Sequence, residues 1–166
     1  ISMFTEPEWL YGSLGLVPGR FVANFGLGEV LTLFTSMFLH AGFLHIVGNM
    51  IFLYVFGKTA EQQLGSRRFL WLYVLSGVSA ALAQIAVDPG SIIPMVGASG
   101  AISGVLAAAV VLQPRARIVL FTPFTLFIPI SLSLVSFAVL WLGMQVLGVF
   151  GSDSFGGGVA FSAHIG

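Results

Sequence analysis

The sequence has no cysteine, which excludes disulfides, thiolate-ligated zinc and a thiol nucleophile and leaves the redox compartment open. Charge is nearly as scarce. Lys, Arg, Asp and Glu make up 7% of the residues and cancel to a net charge of zero, against roughly 25% charged residues in a soluble domain. With so few basic residues there is no electrostatic footprint for nucleic acid, and there is no acidic tail. Apolar residues fill the remainder: 57% of the chain is hydrophobic and its mean hydropathy is +1.03. Such a chain is solvated by lipid, and its 166 residues read as one domain, 1–166.

The few charges fall between apolar stretches, so spans are sought where runs of about 20 residues survive without one. The expected fold class is all-α, a polytopic membrane helix bundle. Segments 37–57 and 69–87 are each long enough to cross a core of about 30 Å. Segment 99–113, about 22 Å as a helix, is too short to cross before Pro114 and Arg115 stop it. From Ile118 the apolar run is too long for one span, and Pro123 and Pro129 break it; a crossing helix is expected over 129–150, with an interfacial segment before it. Gly151 to Gly158 read as a loop and 159–166 as the start of a last helix. Segment 1–36 is apolar but punctuated by Gly12, Gly15, Pro18, Gly19, Gly26 and Gly28, which suits an outer-face interfacial loop with short helical pieces. Lys58, Arg67 and Arg68 lie in one loop and Arg115 and Arg117 in another that must share its side; basic residues mark that side as cytoplasmic.

Polar side chains inside hydrocarbon are costly and therefore functional suspects. His45 and Asn49, four apart, share one face of the first spanning helix. Ser99, in Gly97-Ala98-Ser99-Gly100, starts the short helix, where unpaired N–H groups and the helix dipole favour negative charge. Rise per residue puts His45 about 12 Å, Ser99 about 8 Å and His164 about 9 Å below the outer surface. One layer thus collects a nucleophile, a base and hydrogen-bond donors, the parts of acyl transfer. No carboxylate lies in any predicted span, so the expected machinery is a dyad: Ser99 attacks, His164 takes its proton, and His45, Asn49 and the Ser99 N–H hold the oxyanion. Hydrolysis needs water, and Gly97 with Gly156, Gly157 and Gly158 are candidate access positions. His40, five residues before His45 and hence about 140° around a helix, is expected at the cavity mouth. That separation also disfavours zinc, and neither metal nor cofactor is expected. Against these readings, Gly97, Gly100 and Gly104 could serve packing alone, and His45 with Asn49 could be interhelical glue.

The run His40-Ala41-Gly42-Phe43-Leu44-His45-Ile46-Val47-Gly48-Asn49-Met50, then Glu61-Gln62-Gln63-Leu64-Gly65, Gly97-Ala98-Ser99-Gly100 and Ala163-His164-Ile165-Gly166, in this order, resembles the rhomboid proteases. The resemblance implies a six-helix core, of which this chain would lack the first helix and carry a truncated last one. It also implies cleavage of transmembrane substrates by Ser99 and His164, with His45 and Asn49 at the oxyanion hole. Two positions depart from the family pattern. Leu31-Thr32 stands where a Trp-Arg pair is common, and Ser103 stands where some members stack an aromatic ring on the catalytic histidine. The expected location is an integral, multi-pass position in a prokaryotic plasma membrane with the site open to the outer face, and a 166-residue piece is expected to be inactive alone. The partners expected are transmembrane protein substrates and the bilayer. The alternatives are a non-catalytic rhomboid-like protein that escorts membrane clients and, more distantly, a small transporter.

Overall fold

The computed structural model describes residues 8–120 and 128–151. Short helices α1 (Glu8–Leu14), α2 (Pro18–Ala23) and α3 (Leu27–Thr35) open the fold, followed by a 3-10 turn at Ser36–Phe38. Pro18, at the start of α2, suits a position whose N–H needs no intrahelical partner. The segment is cross-tied by Arg20. Its guanidinium meets Glu29 Oε1 at 2.7 Å, donates to Gly15 O at 3.1 Å, and donates to Gly12 O as well.

Helix α4 covers Phe43–Leu64 and α5 covers Ser66–Val87. Among the described residues these are the two helices long and apolar enough to cross a membrane, each about 33 Å at 1.5 Å per residue. Helix α4 starts later than the 37–57 expectation, because the chain turns at Ser36–Phe38 and stays extended at Leu39 and Gly42. It also ends later. Lys58, Glu61, Gln62 and Gln63 interrupt the apolar run but are good helix formers, and the helix stops only at Gly65, whose φ of 77° is left-handed. Gly65 is the whole connection, so α5 begins at Ser66 rather than 69.

Helix α6 (Ser99–Leu112) sits at the centre against α4 and α5. Small residues allow the close approach. A Cβ on Gly104 would run into the Ser76 side chain, and one on Gly77 would run into Met37 Sδ and stand 3.3 Å from Ala101 Cβ. Ala60, Ala80, Ala81, Ala101 and Ala109 are buried, while Leu44, Ile51, Leu70, Trp71, Val139 and Leu140 face outward. Small residues inside and large apolar ones outside suit a bundle in lipid, where van der Waals packing rather than water exclusion joins the helices.

The all-α expectation needs one correction. Strands β1 (Arg117–Leu120) and β2 (Ile130–Ser133) pair antiparallel, Arg117 opposite Ser133 and Leu120 opposite Ile130. Part of the segment expected to be interfacial is therefore paired strand, and the helix expected from 129 begins at Leu134 as α7 (Leu134–Gly151). Ile130-Ser131-Leu132-Ser133 alternates with the two-residue period of a strand, and Arg117 clamps Ser131 through Oγ at 2.9 Å and O at 3.0 Å. Helix α7 is joined to α4 by rings: Phe137 lies 5.3 Å from Phe56 and 5.9 Å from Phe52.

Candidate active site

Ser99 is the first residue of α6, half-buried, and its carbonyl accepts a hydrogen bond from Ser103 Oγ at 2.8 Å. At this end of the helix Ile102 N–H donates to Ala98 O at 2.9 Å. N–H groups ahead of such a bond concentrate partial positive charge. The approach to Ser99 is stitched to the opening segment. Leu16 and Met95 exchange backbone bonds of 3.1 and 2.7 Å, Gly19 N donates to Ser91 O at 2.8 Å, and Gly97 N donates to Ser36 O at 2.9 Å.

Gly97 is required by what stands beside it. Its φ is 125°, and a Cβ there would lie 2.8 Å from both Cε1 and Nε2 of His45 and 3.7 Å from Ser99 Oγ. The His45 ring therefore lies against the backbone two residues before the serine. It is held from its other edge, where Ala41 N–H donates to Nδ1 at 3.1 Å. That bond requires a lone pair on Nδ1, so the neutral ring carries its proton on Nε2, the atom beside Gly97. Asn49, one turn further along α4, is buried, and its Nδ2 has no hydrogen-bond partner among the described residues. A buried amide donor left unpaired costs about 1–3 kcal/mol, which is tolerated where a ligand or transition state supplies the acceptor.

The depth estimate for His45 is corrected by this geometry: as the third residue of α4 it stands near the helix entrance, not about 12 Å along it. His40 is corrected too. It precedes α4, and its ring meets that of His45 edge to face with centroids 5.2 Å apart, so the angular separation inferred for a shared helix does not apply. Among the described residues no group of three or more His, Cys, Asp or Glu could hold a metal. Gly100, Ser103 and Gly104 line a cavity of about 470 Å³ shared with Ser76, Ser79 and Trp141. His164, Gly156, Gly157 and Gly158 lie outside the described residues. Tyr11, whose hydroxyl donates to His40 O at 3.0 Å, and Ser36, whose carbonyl anchors Gly97, carry no sequence signal that would have singled them out.

The apolar exterior of the bundle and its two helices of membrane-spanning length define a class, the integral membrane proteins built from a helical bundle. The chain belongs to the rhomboid family, whose domain model matches residues 27–166. It is 30% identical to RHOMBOID-like protein 12, mitochondrial, of Arabidopsis thaliana, over 86% of this chain and 45% of that protein. To the Rhomboid protease GluP of Bacillus subtilis (strain 168) it is 38% identical, over 49% of this chain and 15% of the relative. To Inactive rhomboid protein 1 of Drosophila melanogaster it is 33% identical, over 67% of this chain and 8% of the relative. The chain thus spans less than half the length of each of these curated relatives. No solved structure matches the chain. The expected prokaryotic plasma membrane is not supported, because plant proteins named as mitochondrial and chloroplastic stand among the relatives beside the bacterial one.

Proposed function

We propose that the protein is an intramembrane serine endopeptidase that cleaves transmembrane segments of other membrane proteins. In this reading Ser99 Oγ attacks the scissile carbonyl, His164 removes its proton and returns it to the leaving amine, and His45 Nε2–H, Asn49 Nδ2–H and the Ser99 N–H stabilise the oxyanion. The single observation that carries it is the seat of His45. Its Nδ1 is occupied by Ala41 N–H, and Nε2, the protonated nitrogen, lies against Gly97 beside Ser99. A histidine held so is a donor beside the nucleophile, which leaves the base to a second histidine, and His164 fills that role. The six-helix core and a site open to the outer face belong to the same proposal, as does the single-domain reading of 1–166.

A fluorophosphonate probe tests it, since such reagents label only a serine activated for acyl transfer. Labelling of the protein in membranes that disappears in Ser99→Ala supports the reading, and absence of labelling in active-site-intact protein would sink it. The second reading is a non-catalytic rhomboid-like protein that binds membrane clients, favoured by the likeness to Inactive rhomboid protein 1. It predicts client capture that Ser99→Ala leaves unchanged and no labelling.

A further inference from the structure

We propose that Tyr11 is a positioning residue for His45, acting through the single peptide group that joins His40 to Ala41. The inference rests on the reading of His45 as an oxyanion donor and extends it to a residue upstream of segment 27–166, the part matched by the family model.

The carbonyl of His40 and the N–H of Ala41 are the two ends of one planar amide, fixed relative to each other by the partial double bond. Tyr11, on α1, donates its hydroxyl proton to the carbonyl end at 3.0 Å. The N–H end donates to His45 Nδ1 at 3.1 Å. A carbonyl oxygen can only accept, so the Tyr11 hydroxyl must donate, and all the donations point one way: from tyrosine to amide, from amide to imidazole, and from Nε2–H toward the space beside Gly97. Chains of this polarity reinforce themselves, because each donation makes the next donor more polar.

The arrangement also selects the tautomer. If the amide plane turned, Nδ1 would lose its donor and the ring could place its proton there, presenting a lone pair at Nε2 to a developing oxyanion. The preceding ring of His40 and the imidazole itself meet edge to face, a contact that limits where the ring sits without choosing which nitrogen is protonated. The Tyr11 bond fixes the plane from the far side. Its anchor is firm: α1 closes with Gly15 N donating to Tyr11 O at 3.0 Å, and Gly15 packs so tightly that a Cβ there would stand 3.2 Å from Pro94 and Val96 side chains.

The test uses the full-length protein in detergent and in liposomes, with Tyr11→Phe, which removes only the hydroxyl, and Tyr11→Ala. Proteolysis of a transmembrane substrate is resolved into kcat and KM, the side-chain nitrogens of His45 are observed by NMR after 15N-histidine labelling, and Tm is recorded. Losing one supporting hydrogen bond is expected to lower kcat about three- to tenfold at unchanged KM and Tm, and to move the His45 nitrogens away from the Nε2–H pattern. Wild-type kcat with wild-type His45 nitrogens in Tyr11→Phe would overturn the inference, as would a kcat loss with the His45 nitrogens unmoved, which would assign Tyr11 to loop packing. The NMR arm does not need turnover. If the protein proves inactive the protease reading falls, and a shift of the His45 nitrogens still carries the coupling.

Discussion

Ser99 and Gly97 do different work at two positions of one short motif. Ser99 stands first in α6, and its proposed role is tested by deletion of the hydroxyl: Ser99→Ala and His164→Ala are each expected to abolish cleavage, since the proposed dyad would act as a unit. Asn49→Ala should leave residual turnover, down about 100- to 1000-fold, the usual loss for one oxyanion donor; steady-state proteolysis of a labelled substrate reads both. Gly97 acts by having no side chain. With φ at 125° and His45 atoms 2.8 Å from any Cβ, Gly97→Ala must strain the backbone and push the imidazole aside. Its expected outcome is a loss at least as large as that of Asn49→Ala, read in the same assay, with the His45 nitrogen resonances displaced.

At the level of elements, the interface between α5 and α6 is set by which helix carries the side chain at each crossing. Gly104 faces Ser76, and a Cβ on the glycine would occupy the hydroxyl's place. Gly104→Ala is expected to destabilise the bundle by about 1–3 kcal/mol through overpacking, and Ser76→Gly in the same chain should restore most of the loss. Thermal unfolding in detergent measures this, and a double variant no more stable than Gly104→Ala would refute the pairing. The opening helices depend instead on Arg20, whose ion pair with Glu29 is mostly sheltered, side chains 29% and 15% exposed, and which also caps the carbonyls of Gly12 and Gly15. Arg20→Lys cannot reproduce that fork of donors. It should raise proteolytic nicking within 8–35 nearly as much as Arg20→Ala, and wild-type resistance in the lysine variant would show that charge alone suffices. Here the structure supplies an anchor in a segment where Leu31-Thr32 replaces the Trp-Arg pair expected from the family pattern.

For the molecule as a whole, large apolar side chains lie on the outside and small ones between the helices, as suits a bundle packed in lipid. If the proposed protease reading holds, a transmembrane substrate reaching Ser99 presents carbonyls already bonded within its own helix, so the cut would require local unwinding. Gly near the scissile bond lowers the cost by about 0.8 kcal/mol per residue relative to a strong helix former, so replacing one such Gly by Leu should slow cleavage about fourfold. Rates on a substrate series with one to three such exchanges check this, and unchanged or faster cleavage would count against unwinding as the requirement.

Membrane residence, the short length of the helix behind Ser99 and the shared face of His45 and Asn49 were all determined by the sequence alone, because they depend on local quantities: charge spacing, run length, proline placement and the turn of a helix. Helix ends were less legible, since Lys58 to Gln63 break an apolar run without breaking a helix, and the β1–β2 pairing was hidden because strand pairing depends on a partner ten or more residues away. Only the tertiary structure could decide that His45 rests on Gly97, that Asn49 Nδ2 is buried without a partner among the described residues, and that Tyr11 reaches His40. The two contacts join residues 52 and 29 positions apart, and no local preference encodes them: the first exists because α4 approaches the entry to α6 so closely that only a glycine fits beside the imidazole, the second because α1 folds back onto the turn before α4.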